Sequence, residues 1–331
     1  MLKRTFTLLV LLLLTFTSAQ ADQKLKKLVI AGPFATVSHP VLHMIETGAL
    51  KDIANTVEFR LWKNPDELRA MMIKGDIDFM ALPTNTAAIL HNKGVKLKLI
   101  DVSIWGILGM ISRDKSLKTL KDFKGKKIVV PFRADMPDIV FTQLLKHQGL
   151  DLKKDFELIY VASPIDAMQM LIMRRADHAL LAEPAISIAL RKTKSFPLSM
   201  IAPDLYRSTD IQEEWARVFK ANARIPEAGM AVVGKMMNNT TVIERFLEEY
   251  KKSLAWYKKY PKEAGILVVK TLPMLEKEGV SDSISHVNIN SVSAIDAKKE
   301  LEFFFNVLKE DNPKSIGGKL PADDFYYSAE Q

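Results

Sequence analysis

A short apolar run that stops at a proline and passes at once into small polar residues occurs twice in this chain. In Asp76-Ile77-Asp78-Phe79-Met80-Ala81-Leu82-Pro83-Thr84-Asn85-Thr86 a buried strand ends at Pro83 and a helix starts directly after it. Further on, Asp177-His178-Ala179-Leu180-Leu181-Ala182-Glu183-Pro184-Ala185-Ile186 does something similar. Each copy follows an amphipathic helix with a basic end, Lys74 in one case and Arg174-Arg175 in the other. Ligands of open α/β sheets sit beyond such strand ends, against helix N-termini. Two tips of this kind predict two related lobes that face one cleft.

Strands and helices alternate around these elements. Lys27 to Ala31 is a first strand that stops at Gly32-Pro33, and Ser38 with Pro40 marks a helix start after the loop. Val57, Phe59 and Leu61 alternate with Glu58 and Arg60, as in a strand at a sheet edge, and Trp62 stands at its end. Asn64-Pro65-Asp66-Glu67 supplies a cap, a first-turn proline and an acid, and Gly75 stops that helix. Val95 to Ile104 is rich in β-formers, and Trp105-Gly106-Ile107-Leu108-Gly109-Met110 prolongs the run beyond the usual strand of about five or six residues. It reads as a segment that leaves one lobe for the next.

Leu117 to Lys127 reads as a charged surface loop, and Ile128 to Pro131 as a strand. Asp135 caps a helix to Gly149, Phe156 to Val161 is a strand, and a helix runs from Pro164 to Arg175. Beyond the second tip a helix opens at Pro184, a strand is expected near Leu198 to Ile201, and a helix over Asp204 to Lys220. Gly229 to Gly234 is a second glycine-flanked β run, the natural return crossing. The remainder is mostly helical, with a capping box at Thr241-x-x-Glu244. The expected fold class is α/β and bilobed, with two mostly parallel sheets flanked by helices and joined by two hinge crossings. Lobe 1 is expected over 22–106 and 230–331, and lobe 2 over 107–229.

Residues 1–21 stand apart from this pattern. Lys3 and Arg4, the apolar run Phe6 to Phe16 and Ala19-Gln20-Ala21 have the order of a cleaved secretory signal peptide, with Asp22 as the mature start. No later stretch approaches the roughly 20 apolar residues of a spanning helix. The expected product is exported. It has no cysteine, which excludes disulfides, thiolate metal sites and cysteine nucleophiles. The formal charge of +8 falls to +6 without Lys3 and Arg4, and the basic residues usually sit beside acids, so solvated faces are expected and no nucleic-acid partner.

The turn Lys74 to Asp78, the run Leu120-Lys121-Asp122-Phe123-Lys124-Gly125-Lys126-Lys127-Ile128, the leader and Glu183-Pro184 together resemble ABC-importer solute-binding proteins. The similarity is to the nitrate, sulfonate, taurine and thiamine-pyrimidine-precursor branch, with the type 2 periplasmic-binding-protein fold. The resemblance implies a periplasmic monomer that closes by a hinge on a small-molecule ligand and delivers it to permease subunits in the inner membrane. It implies no cofactor and no catalysis. Rival readings are a pyrimidine-precursor-synthesising enzyme on the same fold, or the ligand-binding subunit of a signalling receptor.

Candidate ligand contacts lie at the strand ends. Pro83, Thr84, Asn85 and Thr86 offer hydroxyl, amide and backbone N–H groups, or merely cap their own helix. Phe132, Arg133 and Asp135 hold the matching place in lobe 2, with Arg133 either an anion ligand or a surface arginine. Glu183 suits an amine or ring N–H donor, or serves a salt bridge or helix start. Phe34, Trp62, Trp105 and Phe132 either sandwich a flat ligand or pack in the core. His39 and His43 share a helix face without the further ligands that a metal site needs. No phosphate loop, GxSxG elbow or zinc spacing is present.

Overall fold

A computed structural model describes residues 24–201 and 205–329. The leader and its cleavage site lie outside the described residues. Among the described residues, no helix is long and apolar enough to cross a membrane.

The first sheet holds β1 (Leu28–Gly32), β2 (Val57–Leu61), β3 (Phe79–Pro83), β4 (Leu97–Leu99), β5 (Asp101–Gly106), β11 (Ala228–Val233) and β12 (Asn288–Ser293). Its order is β12-β5-β11-β3-β1-β2, with β4 also against β11. The second holds β6 (Leu108–Ser112), β7 (Lys127–Pro131), β8 (Glu157–Val161), β9 (His178–Ala182) and β10 (Tyr206–Asp210), in the order β10-β6-β9-β7-β8. The α/β, bilobed expectation holds, but the sheets are mixed. β1 pairs in parallel with β2 and β3, and β7 with β8 and β9. β6 and β11, which enter their sheets from the other lobe, pair antiparallel, as do β5 with β11 and β12, and β10 with β6. A strand that enters a sheet from the other lobe arrives against the grain of the βαβ units already there.

Local chemistry places the helices. α1 (His39–Thr47) follows β1; α2 (Pro65–Lys74) is capped by the Asn64 side chain, which accepts from the Asp66 and Glu67 amides, and ends on left-handed Gly75. The Asp78 carboxylate accepts from the Val29 amide at 2.8 Å and so fixes β3 beside β1. α3 (Thr84–Asn92) starts straight from β3. In the second lobe α4 (Met136–His147), α5 (Pro164–Ile172) and α6 (Ala185–Lys194) follow β7, β8 and β9.

Two expectations fail between residues 195 and 220. Leu198–Ile201 is a short helix, α7, not a strand, and the expected helix over Asp204 to Lys220 is β10 followed by α8 (Ile211–Phe219). Asp210 accepts from the Gln212 and Glu213 amides and so starts α8 later than expected. The Leu117 to Lys127 loop contains a 3-10 turn, Leu120–Phe123, that buries Leu120 and Phe123.

The chain passes from β5 to β6 through Ile107 alone and returns between α8 and β11. The two crossings are bonded to one another: the Ile225 amide donates to the Trp105 carbonyl at 2.7 Å and the Glu227 amide to the Ile104 carbonyl at 3.0 Å. The C-terminal part adds α9 (Thr240–Lys259), α10 (Pro261–Thr271), α11 (Lys277–Ser283) and α12 (Ala294–Asp311). α11 packs on α6 of the second lobe, where Arg191 meets Asp282 at 2.8 Å, and α12 packs on α4.

Candidate functional site

The carboxyl ends of β1, β2 and β3 in one lobe and of β7 and β9 in the other converge on a cavity of about 100 Å³. Phe34, Trp62, Pro83 and Thr86 line it from the first lobe, Phe132, Asp135 and Glu183 from the second, and Ile107 and Glu227 from the crossings. Most of this wall is apolar. Its ionisable side chains are Asp135, Glu183 and Glu227.

Each wall group is held from behind. The Trp62 indole donates to the Ala81 carbonyl at 3.1 Å, which fixes its ring at the end of β2. His39 lies against the Phe34 carbonyl (3.0 Å) and the Tyr257 hydroxyl (2.8 Å) and so secures the loop that carries Phe34. Phe132 and Ala134 both adopt left-handed backbone, at φ 57° and 59°, a conformation that costs energy in side chains of this kind. The bend is held by the Ala134 amide, which donates to the Asp138 carboxylate at 2.7 Å, and by the Asp135 amide, which donates to the Phe132 carbonyl at 2.9 Å.

The three carboxyls differ in their partners. Asp135, 4% exposed, accepts from the Arg69 guanidinium at 2.6 Å and the Thr86 hydroxyl at 3.1 Å, both from the facing lobe. Burial raises its pKa and Arg69 opposes the rise. Glu183, 1% exposed, meets Arg207 at 2.5 Å and accepts from the Ser187 amide at 3.0 Å; burial raises it, against Arg207. Glu227, 2% exposed, accepts from the Ile107 amide at 3.3 Å, and burial pushes its pKa up to about 8.

Four of the expected contacts lie away from the lining. Thr84 donates to the Pro226 carbonyl at 2.6 Å, and the Asn85 amide donates to the Ser315 carbonyl at 3.2 Å. Successive residues of a first helical turn point about 100° apart, so Thr86 alone of the three turns into the cleft. Trp105 is fully buried, donates to the Asn290 carbonyl at 2.7 Å, and carries the Arg224 guanidinium 4.4 Å above its ring. Arg133 is exposed and lies 5.1 Å over the Tyr160 ring. Its place at a strand tip is as expected, but the reversed backbone at Phe132 and Ala134 turns it outward. His39 is fully enclosed, while His43 is partly buried and stacks on Trp256. No cluster of three metal-binding side chains occurs among the described residues. Glu227 escaped the sequence reading, because Arg224-Ile225-Pro226-Glu227 has the pattern of an ordinary loop.

Two lobes, two crossings and a cavity at the strand ends define the bilobed fold of the periplasmic binding proteins. The chain belongs to the NMT1/THI5-like family, whose sequence model matches residues 56–264. No curated protein matches the chain. Among solved structures, an ABC transporter protein from Parabacteroides distasonis is 24% identical, with a TM-score of 0.74 over 92% of this chain and 99% of that one. The periplasmic aliphatic sulphonate-binding protein SsuA from Escherichia coli superposes with a TM-score of 0.67 at 14% identity, over 92% of each chain. The periplasmic nitrate-binding protein NrtA from Synechocystis gives 0.69 at 13% identity, over 91% of this chain and 87% of that one. These likenesses show a shared fold.

Proposed function

We propose that this protein is an exported solute-binding protein that captures a small ligand between its two lobes and hands it to an ABC importer. The observation that carries the reading is the cavity itself, which draws its wall from both lobes and from both crossings. A ligand held there touches both halves at once and favours the closed arrangement by its differential affinity, with the paired crossings as the hinge. Phe34, Trp62, Pro83, Thr86, Phe132, Asp135, Glu183 and Glu227 are the contacts we assign. Family membership and the leader read at residues 1–21 support the exported location, and the monomer and permease partner follow from the same reading. The lining offers carboxyls and aromatic rings but no lysine or histidine to act as nucleophile or cofactor anchor, which favours binding without chemistry.

Native mass spectrometry of freshly purified protein is expected to show a retained small molecule, whose re-addition to stripped protein quenches tryptophan emission saturably. A chain that retains nothing and gives no saturable response to any fraction of a cell extract would overturn the reading. Transport is tested separately, by loss of uptake of that molecule in cells without the gene.

A further inference from the structure

The carboxyls around the cavity are not all matched by cations. Asp135 is matched by Arg69 and Glu183 by Arg207. Glu227 has no cation against it among the described residues, and its one side-chain hydrogen bond there is from the Ile107 amide. Buried carboxylates are ordinarily paired, because an isolated one is expensive to hold away from water. The wall around Glu227 contains no Lys, Arg or His; it is apolar, with Phe34, Trp62 and Phe132 among its rings. Aromatic faces attract cations.

We propose, on the reading that this cavity holds the protein's ligand, that the ligand is a small organic cation with a single positive charge. An ammonium or amidinium meets this chemistry, its N–H groups donated to Glu227 and its body against the aromatic wall. One unmatched carboxyl admits one charge. A sulfonate or nitrate in the same place faces three carboxyls and no basic side chain of the lining, with both neighbouring arginines already committed. Selection here therefore runs opposite in charge to the sulphonate- and nitrate-binding proteins that share the fold.

A linked proton follows. Glu227 faces Asp135 and Glu183 across the cavity, each with its arginine, while Asp210 at the end of β10 adds repulsion. Below about pH 8 its carboxyl holds a proton, which the bound cation displaces to solvent. Affinity for the cation then rises by up to about tenfold per pH unit as pH approaches 8, with about one proton released.

Calorimetry on the full mature chain tests this with benzamidinium, its neutral isostere benzamide, and benzenesulfonate. Benzamidinium is expected to saturate at least about tenfold more tightly than benzamide, to release a proton in paired buffers, and to tighten from pH 6 to 8. Benzenesulfonate is expected to give no saturable heat. Glu227→Gln should abolish the preference, so that benzamidinium binds no more tightly than benzamide. An anion that binds more tightly than the cation, a Glu227→Gln protein that keeps the cation preference, or no saturation by benzamidinium or benzylammonium would each overturn the assignment. If Glu227→Gln does not fold, the three probes on the wild-type chain decide alone. Preferred binding of an anion leaves the solute-binding reading intact, whereas that reading fails only if no molecule from a cell extract binds.

Discussion

His39 is walled in by the Tyr257 hydroxyl and the Phe34 carbonyl, and burial pushes its pKa down to about 4 from the ordinary imidazole value of 6.5. The unfolded chain thus takes up a proton that the folded one refuses, so stability falls as pH drops from about 6.5 to about 4 and levels off below. That difference amounts to about 3 kcal/mol. Urea unfolding of wild type and His39→Gln between pH 7 and 4 is expected to show a shallower decline in the variant by about that amount; superimposable pH profiles would refute it. The pairing of His39 with His43 on one helix was legible from their spacing. Their environment was not, because Tyr257 stands 218 residues away and arrives only when α9 closes over α1. Glu227 is harder still to read. It enters the cavity because the return crossing pairs with the outgoing one, a contact that spans 120 residues.

At the level of elements, the strand–proline–helix tips were the most legible features, since a proline at a strand end and a small polar residue after it act locally. Leu198–Ile201 is a helix where a strand was expected, because it is apolar enough for a strand and too short for helical periodicity to show. Gly229 marks where local pattern and tertiary need coincide. A Cβ there would stand 2.0 Å from the Asp101 carbonyl oxygen and 2.9 Å from the Val102 Cα, both backbone atoms of β5. The backbone on both sides is fixed by sheet pairing, and the Asp101 carboxylate accepts from the Met230 amide at 2.9 Å. Gly229→Ala is therefore expected to cost about 3 kcal/mol or more. Gly75 has nothing within 4 Å of its Cβ position and only a positive φ to satisfy, so Gly75→Ala is expected to cost about 1 kcal/mol. Chemical denaturation of both variants checks the contrast, and equal losses would mean that the crossing strands yield where the contact says they are rigid.

For the whole molecule, the question is what holds the lobes together around the cavity. On the cavity side the link is Asp135, which reaches from the second lobe to Arg69 on α2 and Thr86 on α3. On the far sides α11 and α12 rest on α6 and α4. Breaking the Asp135 link should therefore shift the balance between open and closed forms without unfolding either lobe. Arg69 is partly exposed, at 40%, so water screens its attraction for Asp135 and the pair is worth about 1 kcal/mol. A ligand that binds only the closed form loses apparent affinity in proportion to the closed fraction. Where that form is the minor one, Arg69→Ala should weaken binding about fivefold and leave the thermal midpoint of the unliganded protein nearly unchanged. Where the closed form is instead the major one, affinity changes less and small-angle scattering should show a larger radius of gyration for the unliganded variant than for the unliganded wild type, with the same radius for both once saturated. If the unliganded variant scatters like the wild type and binds as tightly, Asp135 is a residue of the wall and not the clasp that closes it.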